Sequence, residues 1–270
     1  MTTPPVAPLP VHGTVPLRAR WEQWMQELVK NPQEVSALTS RYGSPVNVLN
    51  PAPLRHNAQE LLDAGTSHDV KTRVFFARKA NKALCFVDAA RESGLGVDVA
   101  SENELRQVLE RDVAPERIIL SAAIKSDSLL RLAISRGVTI SCDSRAECGR
   151  IAAIARALET TARVAPRLAP DPDDLPPTRF GERLPAWQKA EWPTELRAVG
   201  VHVHLHGYSE ADRRTALAEA IALVEHLRAM NQPANFIDIG GGVPMSYLES
   251  REQWENYLER IASQRAGTGE

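Results

Sequence analysis

Strand-like runs alternate with helical segments along most of this chain, and that alternation constrains its fold more than any other feature. Runs of strand character cover residues 72–77, 96–100, 117–121, 138–142, 163–168, 200–205 and 236–239. Between them, residues 102–110, 126–136, 145–159 and 213–231 place their apolar side chains at helical spacing. Strands joined through helices are parallel, with right-handed crossovers. Two architectures satisfy this rhythm: an eight-stranded β/α barrel, of which seven strands are evident, and an open doubly wound sheet. Only residues 169–192, rich in proline and acids, interrupt it. In a barrel that stretch is a long loop at the catalytic face. Upstream, residues 21–38 read as one helix, 42–50 as a turn feeding a strand and 51–64 as a helix. Residues 1–41 are therefore expected to form a lead-in and helix, and residues 42–270 the barrel domain.

Composition narrows the function classes. With 270 residues, 43% of them hydrophobic, the chain can bury the core of one large α/β domain. Its net charge of −2, both signs interspersed, gives no basic field for nucleic acid, so the expected partner is a small molecule. Cys85, Cys142 and Cys148 lack Cys-x-x-Cys spacing and are odd in number, which fits free thiols in a reducing, cytoplasmic compartment. Residues 1–17 lack a basic start and a continuous apolar stretch, so neither a signal peptide nor a membrane anchor is expected there.

Chemistry should gather where strands end. The run Val74-Phe75-Phe76-Ala77-Arg78-Lys79-Ala80-Asn81-Lys82 drives an apolar strand into a lysine and then opens a helix-like segment. Partial desolvation at that exit would lower the pKa of Lys79, as an amine nucleophile needs. The alternative is a lysine whose stem lies along the sheet rim. Asp98 lies in the second strand, with Ser101 and Glu104 beyond it; Asp143 follows the fourth and Arg167 ends the fifth. His202, His204 and His206 share a face if the sixth strand extends that far. The seventh turns through Gly240-Gly241-Gly242, whose backbone N–H groups can approach a phosphate closely. Each feature has a structural alternative: a helix cap for Asp98 or Asp143, a surface ion pair for Arg167, a tight turn for the glycines.

Read in order, Ala77-Arg78-Lys79-Ala80-Asn81, Gly96-Val97-Asp98-Val99-Ala100-Ser101 with Glu104, His202-Val203-His204 and Asp238-Ile239-Gly240-Gly241-Gly242 resemble the pyridoxal-phosphate-dependent decarboxylases of the ornithine/diaminopimelate/arginine group. Tyr42-Gly43-Ser44-Pro45-Val46 with Leu54-Arg55-His56-Asn57 is similar to that family's entry segment, and Thr178-Arg179-Phe180-Gly181 to its Ser-Lys-Phe-Gly. The resemblance implies a TIM-type, alanine-racemase-like β/α barrel and pyridoxal 5'-phosphate as cofactor. It also implies roles. Lys79 would carry the cofactor as a Schiff base, Asp98 would set the protonation of Lys79, Arg167 would contact the phenolic oxygen and His204 would lie on the ring face. Gly240, Gly241 and Gly242, with Gly207 and Ser209, would cradle the phosphate. The substrate would be an amino acid resembling diaminopimelate, ornithine or arginine.

Two departures qualify the carry-over. Where the family reads His-x-Gly-Ser, this chain has His204-Leu205-His206-Gly207-Tyr208-Ser209. The family's Glu-Pro-Gly-Arg strand and all-β C-terminal domain do not occur within these residues. The 270-residue polypeptide alone is therefore expected to bind cofactor weakly and decarboxylate poorly, and a homodimer is expected if the full-length protein has that domain. Three other readings remain open: a cofactor-binding barrel without decarboxylase activity, a barrel hydrolase binding zinc through His202, His204 and His206, and a nucleotide fold built on the triple glycine.

Overall fold

Parallel strands covered by helices on one side and by one another's side chains on the other should be buried on both faces, and most of the strand residues here are. The computed structural model describes residues 21–171, 173–207 and 209–242. Helices α1 (Gln23–Val29) and α2 (Pro32–Tyr42) belong to one unit, and residues 49–242 form another. The second unit opens with α3 (Ala52–Ser67) and then alternates: β1 (Phe75–Ala77), α4 (Leu84–Glu92), β2 (Gly96–Val99), α5 (Glu102–Leu109), β3 (Ile118–Leu120), α6 (Asp127–Ser135), β4 (Thr139–Cys142), α7 (Arg145–Ala157) and β5 (Ala162–Leu168). It continues with α8 (Leu184–Gln188), β6 (Leu196–Ala198), β7 (Val201–Val203), α9 (Glu210–Ala229) and β8 (Ile237–Asp238). Every residue of β3, β4 and β7 is buried. Val97, Val99, Ile140 and Val164 meet Leu105, Val108, Leu130, Ile151 and Leu223 from the helices in one core.

All strand pairs are parallel, in the order β1-β2-β3-β4-β5-β7-β8. Strand order that follows chain order belongs to a barrel; a doubly wound sheet reverses at its switch point. β6 lies against Ala162–Val164 of β5 and β7 against its Arg167–Leu168 end, so the two are halves of one strand position. The seven expected strands are thus all present, with β6 an addition. The sheet is strongly curled. Five strand spacings would separate β1 from β7 by about 24 Å if it were flat, yet the charge of Lys79, just past β1, acts on both His202 and His204.

Serine hydroxyls start the helices on the sheet's outer face. Ser101, Ser126, Ser144 and Ser209 accept the N–H three residues on, capping α5, α6, α7 and α9. In α5 and α7 the third helical residue is a glutamate that folds back. Glu104 accepts the Ala100 N–H at 2.8 Å and Glu147 the Asp143 N–H at 2.9 Å.

Several local expectations are corrected. The helix over residues 21–38 is two helices, because Pro32 has no N–H to continue the first and Asn31 caps the second through the Glu34 N–H. Residues 43–50 contain no strand. The 169–192 stretch is not all loop: Leu168 bridges Glu182, and α8 follows, anchored by fully buried Trp187, whose indole N–H donates to the Arg167 carbonyl at 2.8 Å. Lys82 precedes α4 rather than opening a helix, and it pairs with Glu104. No helix among the described residues is long and apolar enough to cross a membrane.

Candidate functional site

Register carries side chains from neighbouring strands to one face of the sheet. Ala77 of β1 aligns with Asp98 of β2, while Arg167 of β5 aligns with His202 of β7, and His202 with Asp238 of β8. Register partners in adjacent parallel strands project to the same face. Lys79 follows in the turn that leaves β1, where the Ala80 N–H closes back on the Ala77 carbonyl at 3.0 Å. The lysine is exposed, whereas the preceding Arg78 is buried and donates to Gln107 at 2.7 Å and to the Lys82 carbonyl at 2.9 Å. The desolvation expected for Lys79 is thus absent from this structure; the backbone aims Arg78 into the protein and Lys79 out of the strand end.

Asp98 answers that lysine. Its burial raises the carboxyl to about 6, against a lowering by the Ser121 hydroxyl and by the Lys79 ammonium, with Asp238 and Glu104 pushing it further up. Oδ1 of Asp98 is buried without a hydrogen-bond partner. Across the barrel mouth, Arg167 is buried and donates to Asp143 at 3.2 Å, with its guanidinium 4.5 Å from the Phe180 ring centre. Burial lowers its pKa and Asp143 beside it raises it. The surface-ion-pair reading of Arg167 is therefore wrong: Arg167 and Asp143 form an inward-facing pair.

The histidines divide by role. His202 is buried in β7, its Nδ1 is 2.6 Å from the Ser141 hydroxyl and its Nε2 is 3.9 Å from Asp238. Burial brings its pKa down to about 4, so the ring is neutral at pH 7. His204, two residues on and half-buried, is also lowered, first by burial and then by the charges of Lys79 and Arg167. β7 ends at Val203, so His206 does not continue the row; it lies exposed in a bend. The His202 and His204 ring centres are 6.4 Å apart at 71°, and no group of three or more His, Cys, Asp or Glu side chains converges as metal ligands among the described residues. The zinc reading loses its geometric basis.

Past β8 the chain turns tightly through Gly240, Gly241 and Gly242. Gly240 has φ +69°, and a Cβ there would come within 2.3 Å of His204 Nδ1, so only glycine fits. The Gly240 N–H donates to Asp238 at 2.9 Å and the Gly241 N–H to His204 Nδ1 at 3.4 Å. Gly207 lies in the turn after β7, while the Ser209 hydroxyl accepts the Asp212 N–H as the cap of α9. Arg213, which the sequence reading passed over, reaches this place from the first turn of α9 and donates to the carbonyls of Gly241 at 2.9 Å and Gly242 at 2.6 Å. A helix interior carries no strand-end signal. Ser121 and Ser141 were equally inconspicuous.

A second polar ring was also missed. Lys125 is fully buried and binds Glu147 at 2.8 Å, as Lys82 binds Glu104. In each case the lysine precedes its glutamate by 22 residues and the glutamate closes a Ser-x-x-Glu cap. That repeated spacing was the available signal.

Comparison with known proteins bears on the whole arrangement. The sequence matches the family described as pyridoxal-dependent decarboxylase, pyridoxal binding domain, over residues 55–267. Among curated relatives, the uncharacterized protein y4yA of Sinorhizobium fredii is 30% identical over 85% of this chain and 50% of its own length. The diaminopimelate decarboxylase of Zymomonas mobilis is 27% identical over 80% and 55%. The chain spans about half the length of these relatives. In fold it is similar to crystalline diaminopimelate decarboxylase from M. jannaschii in complex with L-lysine, with a TM-score of 0.70 at 20% identity, covering 86% of this chain and 60% of that one.

Proposed function

This chain belongs to the pyridoxal-dependent decarboxylases, and from that premise we propose that it holds pyridoxal phosphate through Lys79 and serves the decarboxylation of an amino acid resembling diaminopimelate, ornithine or arginine. The observation that carries this reading is the convergence of Lys79 and Asp98 with the Arg167–His202–Asp238 row and the glycine turn on one barrel mouth. The residues present fit the group. An exposed amine stands beside a buried carboxylate with an unpartnered oxygen, and at Gly241 of the glycine turn a Cβ would meet nothing nearer than 4.0 Å, which leaves the backbone there open to close approach. The cofactor supplies, when bound, the electron sink that lets CO₂ leave.

The chain's own groups divide the remaining work. Lys79 Nζ binds the cofactor and afterwards holds the proton that the product carbon requires. Asp98, raised to about 6, can take up or give a proton near neutrality beside Lys79. Arg167, oriented by Asp143 and Phe180, presents N–H donors to the phenolic oxygen. His204, whose pKa burial lowers, offers a flat face to the ring. Gly207, Ser209, Gly240, Gly241 and Gly242 provide the phosphate cradle. A homodimer is expected if the full-length protein has the family's C-terminal domain.

Release of CO₂ from meso-diaminopimelate, lysine, ornithine and arginine by the full-length, cofactor-loaded protein tests the reading. CO₂ from one of them is expected. Stoichiometric cofactor binding with no CO₂ from any amino acid would instead support the cofactor-binding barrel without decarboxylase activity.

A further inference from the structure

Arg213 holds together the two turns that the preceding reading assigns to the phosphate. Its Nη2 donates to the Gly241 carbonyl at 2.9 Å, the Gly242 carbonyl at 2.6 Å and the Gly207 carbonyl at 3.4 Å, and its Nη1 reaches the Ile239 carbonyl at 3.5 Å. One guanidinium thereby spans the β7–α9 turn and the turn after β8. In a trans peptide the C=O and the N–H point in opposite directions. Anchoring the Gly241 oxygen on Arg213 therefore turns the Gly242 N–H to the other side. A Cβ at Gly242 would stand 2.9 Å from Nη2, so glycine is what lets the guanidinium come this close. Nε of Arg213 is buried with no partner, and its charge acts on His204, the residue packed against Gly240.

We propose that Arg213 is the positioning residue that shapes this cradle for a dianionic phosphate, holding the turns by their carbonyls so that the Gly242 N–H, the one not given to Asp238 or His204, faces the anion while its own charge offsets the anion's. The inference rests on the assignment of the glycine turns to the phosphate. It accounts for the departure from His-x-Gly-Ser. Here the Ser209 hydroxyl oxygen also accepts the Asp212 N–H as the cap of α9, and the arginine one turn into that helix adds order and charge beside it.

The test compares pyridoxal phosphate with unphosphorylated pyridoxal, by titration of apo wild type, Arg213→Ala and Arg213→Lys. In Arg213→Ala, affinity for pyridoxal phosphate should fall about tenfold or more, the equivalent of a lost charge-assisted hydrogen bond, while affinity for pyridoxal stays within about twofold. Arg213→Lys keeps the charge but not the fork of donors, so its preference for the phosphorylated form should lie between wild type and Arg213→Ala. Equal losses for both ligands would make Arg213 a merely structural residue and overturn the proposal, as would an unchanged preference in both variants. If Arg213→Ala does not fold, a wild-type preference in Arg213→Lys would refute the carbonyl-holding role. Borohydride trapping of the wild type is the control. Failure to trap cofactor on Lys79 sinks the functional reading itself, whereas trapping with an unaltered preference in the variants sinks only the role of Arg213.

Discussion

Two regions of this barrel bury carboxylates, and they treat them in opposite ways. At the starts of α5 and α7, Glu104 and Glu147 each accept a backbone N–H from the preceding loop and an ammonium from Lys82 or Lys125. At the end of β2, Asp98 keeps one buried oxygen without a partner, and burial lifts its pKa to about 6. A buried polar group left incomplete costs stability. The satisfied region builds the scaffold. The unsatisfied one, within reach of the charges of Lys79 and Asp238, is where a ligand would complete the set.

Breaking the satisfied region should have the largest effect. Glu147→Ala leaves Lys125 charged, fully buried and unpaired, and is expected to destabilise the protein by about 3–5 kcal/mol in urea unfolding of the apo form. A loss near zero would mean that Lys125 escapes to solvent and that the two regions do not differ.

Asp98→Asn should act with the opposite sign. A folded-state pKa of about 6 against an ordinary value of 3.8 means that this carboxyl stabilises the fold at low pH and loses that contribution as pH rises through 6. Removing its charge should therefore stabilise the apo protein at pH 7 by about 1–3 kcal/mol while impairing cofactor chemistry. His202 runs the other way. Its pKa, depressed from 6.5 to about 4, gives stability that is present above 6.5 and lost as pH falls toward 4. The two offset each other in wild type, so Asp98→Asn should lose more stability between pH 6.5 and 4 than wild type does. Parallel pH profiles would refute that balance.

The smallest effect sharpens the comparison on the ligand side. His204→Ala should leave apo stability nearly unchanged and reduce the stabilisation gained on adding cofactor by about 0.5–1.5 kcal/mol. Equal losses in both forms would place His204 with the structural residues.

How much of this the sequence disclosed follows from the range of each interaction. Periodicity is local, so all seven strand positions were legible. So was the place of Lys79 at a strand exit. β6 was not, because Leu196-Arg197-Ala198 carries an exposed arginine at its centre and no β-branched or aromatic residue, unlike the apolar runs that marked the others. The direction of the chain at Arg78 and Lys79 was misjudged as well: burial falls on the arginine. Ser141 against His202 and Arg213 against the glycine carbonyls join residues far apart in the chain, which no local pattern reports. The Lys–Glu pairs are equally non-local, though their repeated spacing was there to be read.

The central claim is that Lys79 is the residue left to meet the cofactor, whereas Lys82, only three positions on, is committed to Glu104. Borohydride reduction of the cofactor-loaded protein followed by peptide mapping tests it most directly. A pyridoxyl group on Lys79 with Lys82 unmodified is the predicted result; a pyridoxyl group on Lys82 with Lys79 free would contradict it.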